Sequence, residues 1–315
     1  MREKKSFAKR TTTKTGDETR KKYFLVYEGE ATEAIYFDAI NDLKQEIGID
    51  PLIELTPLIR SYSESGWSNP KKILDRVIQN ITESQTGNMS YETLFNQVID
   101  YLIEEGIIAE KGPQAKSIWE ILQWYYEKES NKILTDTLSD LEQECKNISE
   151  CLEKASCLAT ITADISDIIK NQKITYAEDF DKICLIVDRD RESFICNLTN
   201  DQYTYVLQTC REKNMGFYVT NPCFEFWILL HFDKVHRLDR TLLLENPKVS
   251  KKRRYTEDQL KKLIPDYRKS SYNARKLIKK IDTAIKNEKM FCESIEQLEN
   301  TVGSNLGELI EEMRK

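Results

Sequence analysis

Lys182-Ile183-Cys184-Leu185-Ile186-Val187-Asp188-Arg189-Asp190-Arg191 decides the fold. Its apolar, partly β-branched run is short and does not alternate, which suits a strand covered on both faces. The run stops at two acids with one residue between them. Tyr23-Phe24-Leu25-Val26-Tyr27-Glu28-Gly29-Glu30 repeats the idea near the start of the chain. Two buried strands that each end in carboxylates are what a metal site at the carboxyl edge of a sheet requires.

Outward from these strands, helices and strands alternate. After the strand at 23–27, Gly29 permits a sharp turn and Thr32 is placed to cap a helix. That helix carries Ile35, Tyr36, Phe37, Ile40, Leu43 and Ile47 as an apolar stripe, and Gly48 and Pro51 end it. Residues 53–59 read as a second strand, and Asn69-Pro70 opens a helix buried through Ile73, Leu74, Val77, Ile78 and Ile81. The β-α-β-α order predicts an α/β fold with a parallel sheet. The order resumes with the strand at 182–187, a helix at 201–213 and a strand at 215–220. An apolar helix follows, with Asn221 expected as its cap and Pro222 at its first position.

Residues 84–177 interrupt the alternation. Helices are expected at 90–105, 114–130 and 132–171, the last with a heptad-like stripe from Ile133 to Ile169. An inserted helical subdomain with its own core is the simplest reading, and a surface for self-association or a partner protein is the alternative. The sequence therefore divides into a basic arm (1–22), a first core segment (23–83), the insertion (84–177), a second core segment (178–233) and a basic helical C-terminal region (234–315). In that last region, helices are expected at 257–264, 273–288 and 306–314.

Composition removes several classes. Charged residues make up 32% and apolar residues 40% of the 315, as expected of a soluble globular protein of one large or two modest domains. No apolar run approaches the ~20 residues that span a bilayer. The basic, polar N-terminus lacks the apolar core of a signal peptide, so a cytoplasmic protein is expected. The eight cysteines form no CxxC pair and the two histidines are His231 and His236, so zinc-site spacing is absent and free thiols are expected. No GxxxxGK[ST] loop and no GxSxG elbow occur. The net charge of −6 hides an asymmetry. Residues 60–178 carry 12 Lys/Arg against 20 Asp/Glu, whereas residues 234–289 carry 18 against seven. A basic segment in an acidic chain suggests a local polyanion contact, with solvated helix faces as the competing reading.

Asp188 and Asp190 are the sharpest chemical feature. Strand residues i and i+2 point the same way, so both carboxylates can face one ion. Mg²⁺ takes oxygen ligands and is held by few carboxylates, with waters and substrate phosphate completing its shell. An Asp-x-Asp alone is weak evidence, since acids at strand ends are common. Glu28 strengthens it, because it ends a strand of what should be the same sheet. Three acids converging there repel one another unless a cation is present. Glu30 and Glu33 compete for the role of Glu28. Glu225, in the first turn of an apolar helix, is either a further ligand or base, or a charge that complements the helix dipole. His231 reads as a satisfied core histidine, and Phe224, Phe226, Trp227 and Phe232 as core. Lys251, Lys252, Arg253, Arg254 and Arg268 are candidate phosphate-backbone contacts, and Lys269 is a candidate stabiliser at a reacting phosphate.

Three blocks together resemble the RloB/AbiLii-like family. They are Glu28-Gly29-Glu30 with Thr32-Glu33, Val187-Asp188-Arg189-Asp190, and Asn221-Pro222-Cys223-Phe224-Glu225-Phe226-Trp227 continuing to Phe232. The tail Asn300-Thr301-Val302-Gly303-Ser304-Asn305-Leu306 is similar to that family's C-terminal segment. The resemblance covers about 23–83 and 180–315, and the 84–177 insertion departs from it. It implies a Toprim-like, Rossmannoid core with the fold's glutamate at Glu28 and its paired acids at Asp188 and Asp190. It also implies Mg²⁺ or Mn²⁺, phosphodiester cleavage of DNA or RNA, a role in antiphage or abortive-infection defence, and an ABC/SMC-type ATPase partner. A latent binding subunit held by such an ATPase is the alternative. A nucleotide-sugar transferase or phosphatase explains the Asp-x-Asp but neither the early Glu-Gly turn nor the Asn-Pro-Cys-Phe-Glu block.

Overall fold

The computed structural model describes residues 7–9, 20–27, 31–58, 70–86, 88–104, 108, 113–154, 174–176, 180–189, 202–251 and 253–315. The chain divides into two compact units. One comprises Met1–Thr13, Ile59–Trp67 and Asp75–Ala177, and the other Lys14–Leu58, Ser68–Leu74 and Glu178–Lys315.

In the helical unit, strand β1 (Phe7–Lys9) pairs in parallel with a later strand, Ile174–Tyr176. The sequence reading places these residues in the basic arm (1–22) and at the end of the insertion (84–177). Helices Tyr91–Glu104, Pro113–Lys128 and Leu141–Lys154 enclose a core of their own, with Leu94, Phe95, Val98, Leu122, Ile148 and Leu152 inaccessible to solvent. The third helix starts later than its stripe predicted, at Leu141 instead of residue 132. Asn131 takes a left-handed backbone, Ser90 pairs with Thr137, and Asp140 accepts the Gln143 amide at the helix start. Leu134 and Leu138 still pack on this core, from a turn rather than a helix. The remainder of the predicted stripe, 155–171, lies outside the described residues.

The other unit is α/β. Strand β2 (Lys21–Tyr27) leads through helix Thr32–Leu43 to β3 (Ile53–Leu58). After β4 (Ile174–Tyr176) of the helical unit, the chain re-enters the sheet at β5 (Lys182–Asp188) and passes through helix Gln202–Glu212 to β6 (Gly216–Asn221). Helix Phe224–Leu229 follows. The basic region adds helices Arg240–Glu245, Tyr255–Leu263, Ala274–Ile278 and Ile281–Glu288, strand β7 (Gly303–Ser304) and helix Leu306–Met313. The sheet order is β3-β2-β5-β6-β7, parallel except for β7.

Both faces of the sheet are covered, as the unbroken apolar strands require. Tyr23, Leu25, Cys184, Ile186 and Tyr218 join one large core with helices Thr32–Leu43, Phe224–Leu229 and Leu306–Met313. On the opposite face the Phe217 ring meets Tyr203 of helix Gln202–Glu212 at 5.6 Å. The chain leaves β2 for β3 on one side and returns to β5 on the other, so the carboxyl ends of β2 and β5 flank a topological switch point. Ligands of open α/β sheets bind at such crevices.

The C-terminal tail is stitched to β6. Asn305 accepts the Val219 amide at 2.7 Å and donates to the Phe217 carbonyl at 3.1 Å, taking the place of a strand. Asn221 does not cap the following helix. Its side chain donates to the Leu298 carbonyl at 2.6 Å and its backbone pairs with Gly303. The Asn221–Pro222 peptide is cis and Cys223 takes the cap position, so Pro222 precedes the helix instead of opening it. The expected helix over 273–288 is two, broken between Ile278 and Ile281.

Candidate active site

β5 ends at Asp188, which is partly exposed. Its Oδ1 accepts a hydrogen bond from Thr220 Oγ1 at 2.8 Å, across the register that pairs these two residues. The ladder continues one step beyond, with the Arg189 amide donating to the Thr220 carbonyl at 2.7 Å. Successive strand side chains alternate, and the Arg189 side chain goes to Glu299 at 3.4 Å and to the Tyr203 ring at 5.7 Å. Asp188 is thereby left to the carboxyl edge. β2, paired to β5 with Tyr27 opposite Ile186, ends beside it. Glu28, Glu30 and Asp190 lie outside the described residues.

Glu225 occupies the first turn of helix Phe224–Leu229 and is 3% exposed. One carboxylate oxygen receives both Lys269 Nζ at 3.0 Å and the Tyr267 hydroxyl at 3.2 Å. A buried charge is tolerated when it is paired and hydrogen-bonded in this way. Desolvation at the carboxylate lowers the Lys269 pKa, but Glu225, with smaller contributions from Cys223 and Asp188, more than offsets it and holds the ammonium above the ordinary lysine value. Burial, then Glu225, pushes the Tyr267 hydroxyl far above its usual range, so it stays protonated and can donate to Glu225.

A tight turn presents Lys269. Arg268 and Ser271 exchange amide–carbonyl bonds at 3.0 and 2.9 Å. The turn is latched to the start of helix Thr32–Leu43, where Thr32 Oγ1 donates to the Lys269 carbonyl at 3.1 Å and Tyr272 donates to the Thr32 carbonyl at 2.7 Å. The segment that follows Glu28-Gly29-Glu30 in sequence thus meets the loop that carries the lysine. Glu33 is buried beside this latch and its charge acts on the Tyr272 hydroxyl. Cys223 lies within the electrostatic reach of Glu225 and Asp188. Burial, then these two carboxylates, raises its thiol pKa, which leaves it protonated and excludes it as a thiolate nucleophile.

The structure therefore gathers Asp188, Glu225 and Lys269 into one neighbourhood. It engages other candidates elsewhere. Arg253 pairs with Asp258 at 3.4 Å, and Arg254 donates to the Asn246 carbonyl at 3.4 Å from the start of helix Tyr255–Leu263. Lys251 and Arg268 are exposed, and Lys252 lies outside the described residues. His231 is a buried core histidine, with Nε2 at 3.0 Å from the Tyr36 hydroxyl and Nδ1 facing the Trp227 and Ile228 carbonyls at 3.2 Å. Burial lowers its pKa to about 4, so it is neutral at physiological pH. Sequence reading misses Thr220 and Tyr272, which belong to no recognisable motif. It places Tyr267 beside Arg268 and Lys269 as a phosphate contact, whereas its hydroxyl goes to Glu225. It makes Thr32 a helix cap, whereas Ala31 takes that position and the Thr32 hydroxyl goes to the Lys269 carbonyl.

Among the described residues no three His, Cys, Asp or Glu side chains are grouped to hold a metal ion, and no helix is long and apolar enough to cross a membrane. The model of the family described as RloB-like protein matches residues 23–313. The chain belongs to the RloB-like family. No curated protein and no solved structure matches it. In this RloB-like chain the matched span runs from β2 to helix Leu306–Met313 and so takes in the sheet, the helical stretch and the stitched C-terminal tail.

Proposed function

We propose that this RloB-like chain is a metal-dependent nuclease with a Toprim-like core, which cleaves phosphodiester bonds of DNA or RNA, tRNA included, as the effector of an antiphage defence system. The observation that carries the reading is the position of Asp188. It ends β5 at the switch point, beside the end of β2 and within the electrostatic reach of Lys269. A hard oxygen donor with one oxygen already oriented by Thr220 fits Mg²⁺ or Mn²⁺, which takes few carboxylates and retains waters. Glu28 follows Tyr27, and Asp190 follows Arg189, so the proposal takes both as ligands beside Asp188. Glu225 is assigned differently, because Lys269 and Tyr267 already saturate its accepting oxygen.

When bound, the ion supplies charge neutralisation at the phosphate and a more acidic water. The chain's own residues do the rest. Glu225 and Tyr267 fix the Lys269 ammonium, and the latch through Thr32 and Tyr272 fixes the loop. Lys269 then offers a positioned positive charge to the negative charge that develops on the phosphate oxygens. Glu225 is a positioning residue in this scheme.

The test is cleavage of plasmid DNA and of tRNA with Mg²⁺ or Mn²⁺. Glu28→Ala and Asp188→Ala should each abolish cleavage while circular dichroism stays unchanged. Unchanged cleavage in both overturns the proposal. A latent subunit held by an ABC/SMC-type ATPase is the second reading, and one observation favours it: Glu225 is already neutralised by Lys269. Trp124 and Ile133, 58% and 60% exposed on the helical unit, give a partner protein an apolar contact. Co-purification with an ATPase, and no cleavage after release from it, distinguishes this reading.

A further inference from the structure

We propose that a cavity beside the Lys269 loop is a nucleobase pocket, which takes one splayed base of a single strand with its phosphate on Lys276 and Lys280. This rests on the nuclease reading and names the form of substrate it engages. The cavity measures about 300 Å³, at the lower end of ligand-sized pockets. Phe232, Leu263, Tyr272 and Leu277 give it two aromatic and two aliphatic walls, and Lys276 and Lys280 stand among its lining.

The cations carry the chemistry. On the same short segment, Arg275 pairs with Asp42 at 3.2 Å and Lys279 with Glu46 at 3.8 Å. These two are neutralised by acids on and just after helix Thr32–Leu43. Lys276 and Lys280 are also exposed, yet neither has an ion-pair partner among the described residues. The Lys280 ammonium stands 5.5 Å from the centre of the Phe232 ring, so its charge sits on an aromatic wall. An apolar, ring-lined hollow with uncompensated ammonium groups suits a flat aromatic group joined to an anion. A nucleotide has that form, and base–aromatic stacking tolerates any sequence. Asp266, also on the lining, accepts hydrogen bonds from an exocyclic amino group. It favours cytosine or adenine over uracil or thymine.

Position links the pocket to the candidate site. Tyr272 forms a wall of the cavity, and its ring lies 5.4 Å from that of Tyr267. Tyr267 in turn donates to Glu225, the partner of Lys269. A base seated against Tyr272 is one ring away from the residues that hold the lysine. The strand must be unpaired at this point, because a base within a duplex cannot enter the hollow.

The test uses the full-length protein in EDTA and fluorescent 12-nucleotide single strands of RNA and of DNA, read by anisotropy. The double variant Lys276→Glu, Lys280→Glu should weaken binding at least tenfold at about 0.1 M salt, and the slope of log affinity against log salt should fall by about one to two. Both lysines are exposed, so circular dichroism should not change. Strands carrying 5-iodocytosine should photo-crosslink to Phe232 or Tyr272, mapped by mass spectrometry, and crosslinking should drop in the double variant. Affinity within twofold of wild type, or crosslinks only elsewhere, overturns the pocket. If the wild type still cleaves nucleic acid with metal in that case, the nuclease reading stands and only the pocket fails. A wild type that neither binds nor cleaves any nucleic acid overturns both.

Discussion

Glu288 makes stability depend on pH in a direction that can be worked out from its surroundings. It ends helix Ile281–Glu288, is 1% exposed, and accepts the Gly307 amide at 3.1 and 3.0 Å on its two oxygens. Burial raises its pKa from 4.5 to about 8, only partly countered by Gly307 and Ser304, and the charges of Glu293 and Glu311 add to the rise. The folded protein therefore keeps a proton that the unfolded chain releases above pH 4.5. The stability so gained is fully present below pH 4.5, declines as pH rises, and is gone above about pH 8. At about 1.4 kcal/mol per pH unit, the loss between pH 4.5 and 7 is on the order of 3 kcal/mol. Glu288→Gln should remove this slope, because the amide oxygen still accepts from Gly307 and its NH₂ still reaches Ser304. With two compact units a single unfolding free energy is poorly defined. A local reporter is therefore preferable: hydrogen exchange of a peptide spanning 303–313, corrected for intrinsic rate. Wild-type protection should fall by roughly 10²-fold from pH 5 to 7.5 relative to the variant. Equal pH slopes in the two proteins would refute the reasoning.

Three further outcomes follow from the same contacts. Lys269→Ala should lower single-turnover cleavage by about 10²- to 10³-fold and also cost stability, since it leaves the buried Glu225 carboxylate without its cation; a rate within threefold of wild type in the folded variant removes it from the site. Glu144→Ala should destabilise the helical unit by about 2–5 kcal/mol, because the Tyr91 and Tyr126 hydroxyls, which donate to it at 2.9 and 2.7 Å, lose their acceptor; denaturation followed by the fluorescence of Trp119 measures it. Gly307→Ala should cost about 1–3 kcal/mol, because a methyl group there falls within contact distance of the Glu288 carboxylate; thermal melting of the variant checks it.

What the sequence revealed and what it hid have physical causes. β2, β5 and β6 were legible because strands buried on both faces are continuous apolar runs, a local signal. The pairing of Asn305 with β6 was not, because one side chain supplies what a strand usually does. Asn221-Pro222 has the form of a helix start, yet the Leu298 carbonyl claims the asparagine from 77 residues away. The heptad stripe after Ile133 failed locally for a similar reason: Asp136 accepts the Ile133 amide at 3.0 Å, and this side-chain bond holds a turn where the periodicity favoured a helix.

The candidate site divides along the same line. Asp188 was visible because it ends an apolar run, and Glu225 because it interrupts one. Lys269 stood out only as one cation in a basic region of 18. What distinguishes it is a contact across 44 positions to a carboxylate that is itself buried. Burial explains why that contact matters. An exposed Lys–Glu pair is worth little, because water screens it and both side chains lose freedom in forming it. Glu225, at 3% exposure, cannot be hydrated, so its charge persists only while a cation and a donor hold it. The lysine is therefore fixed at the sheet edge by the needs of the fold, in the place where the proposed chemistry needs a positive charge. In the proposed reaction, a loop held this way by Glu225, Tyr267 and Thr32 would need no further ordering when substrate arrives, and that preorganisation would make a single ammonium effective against developing charge.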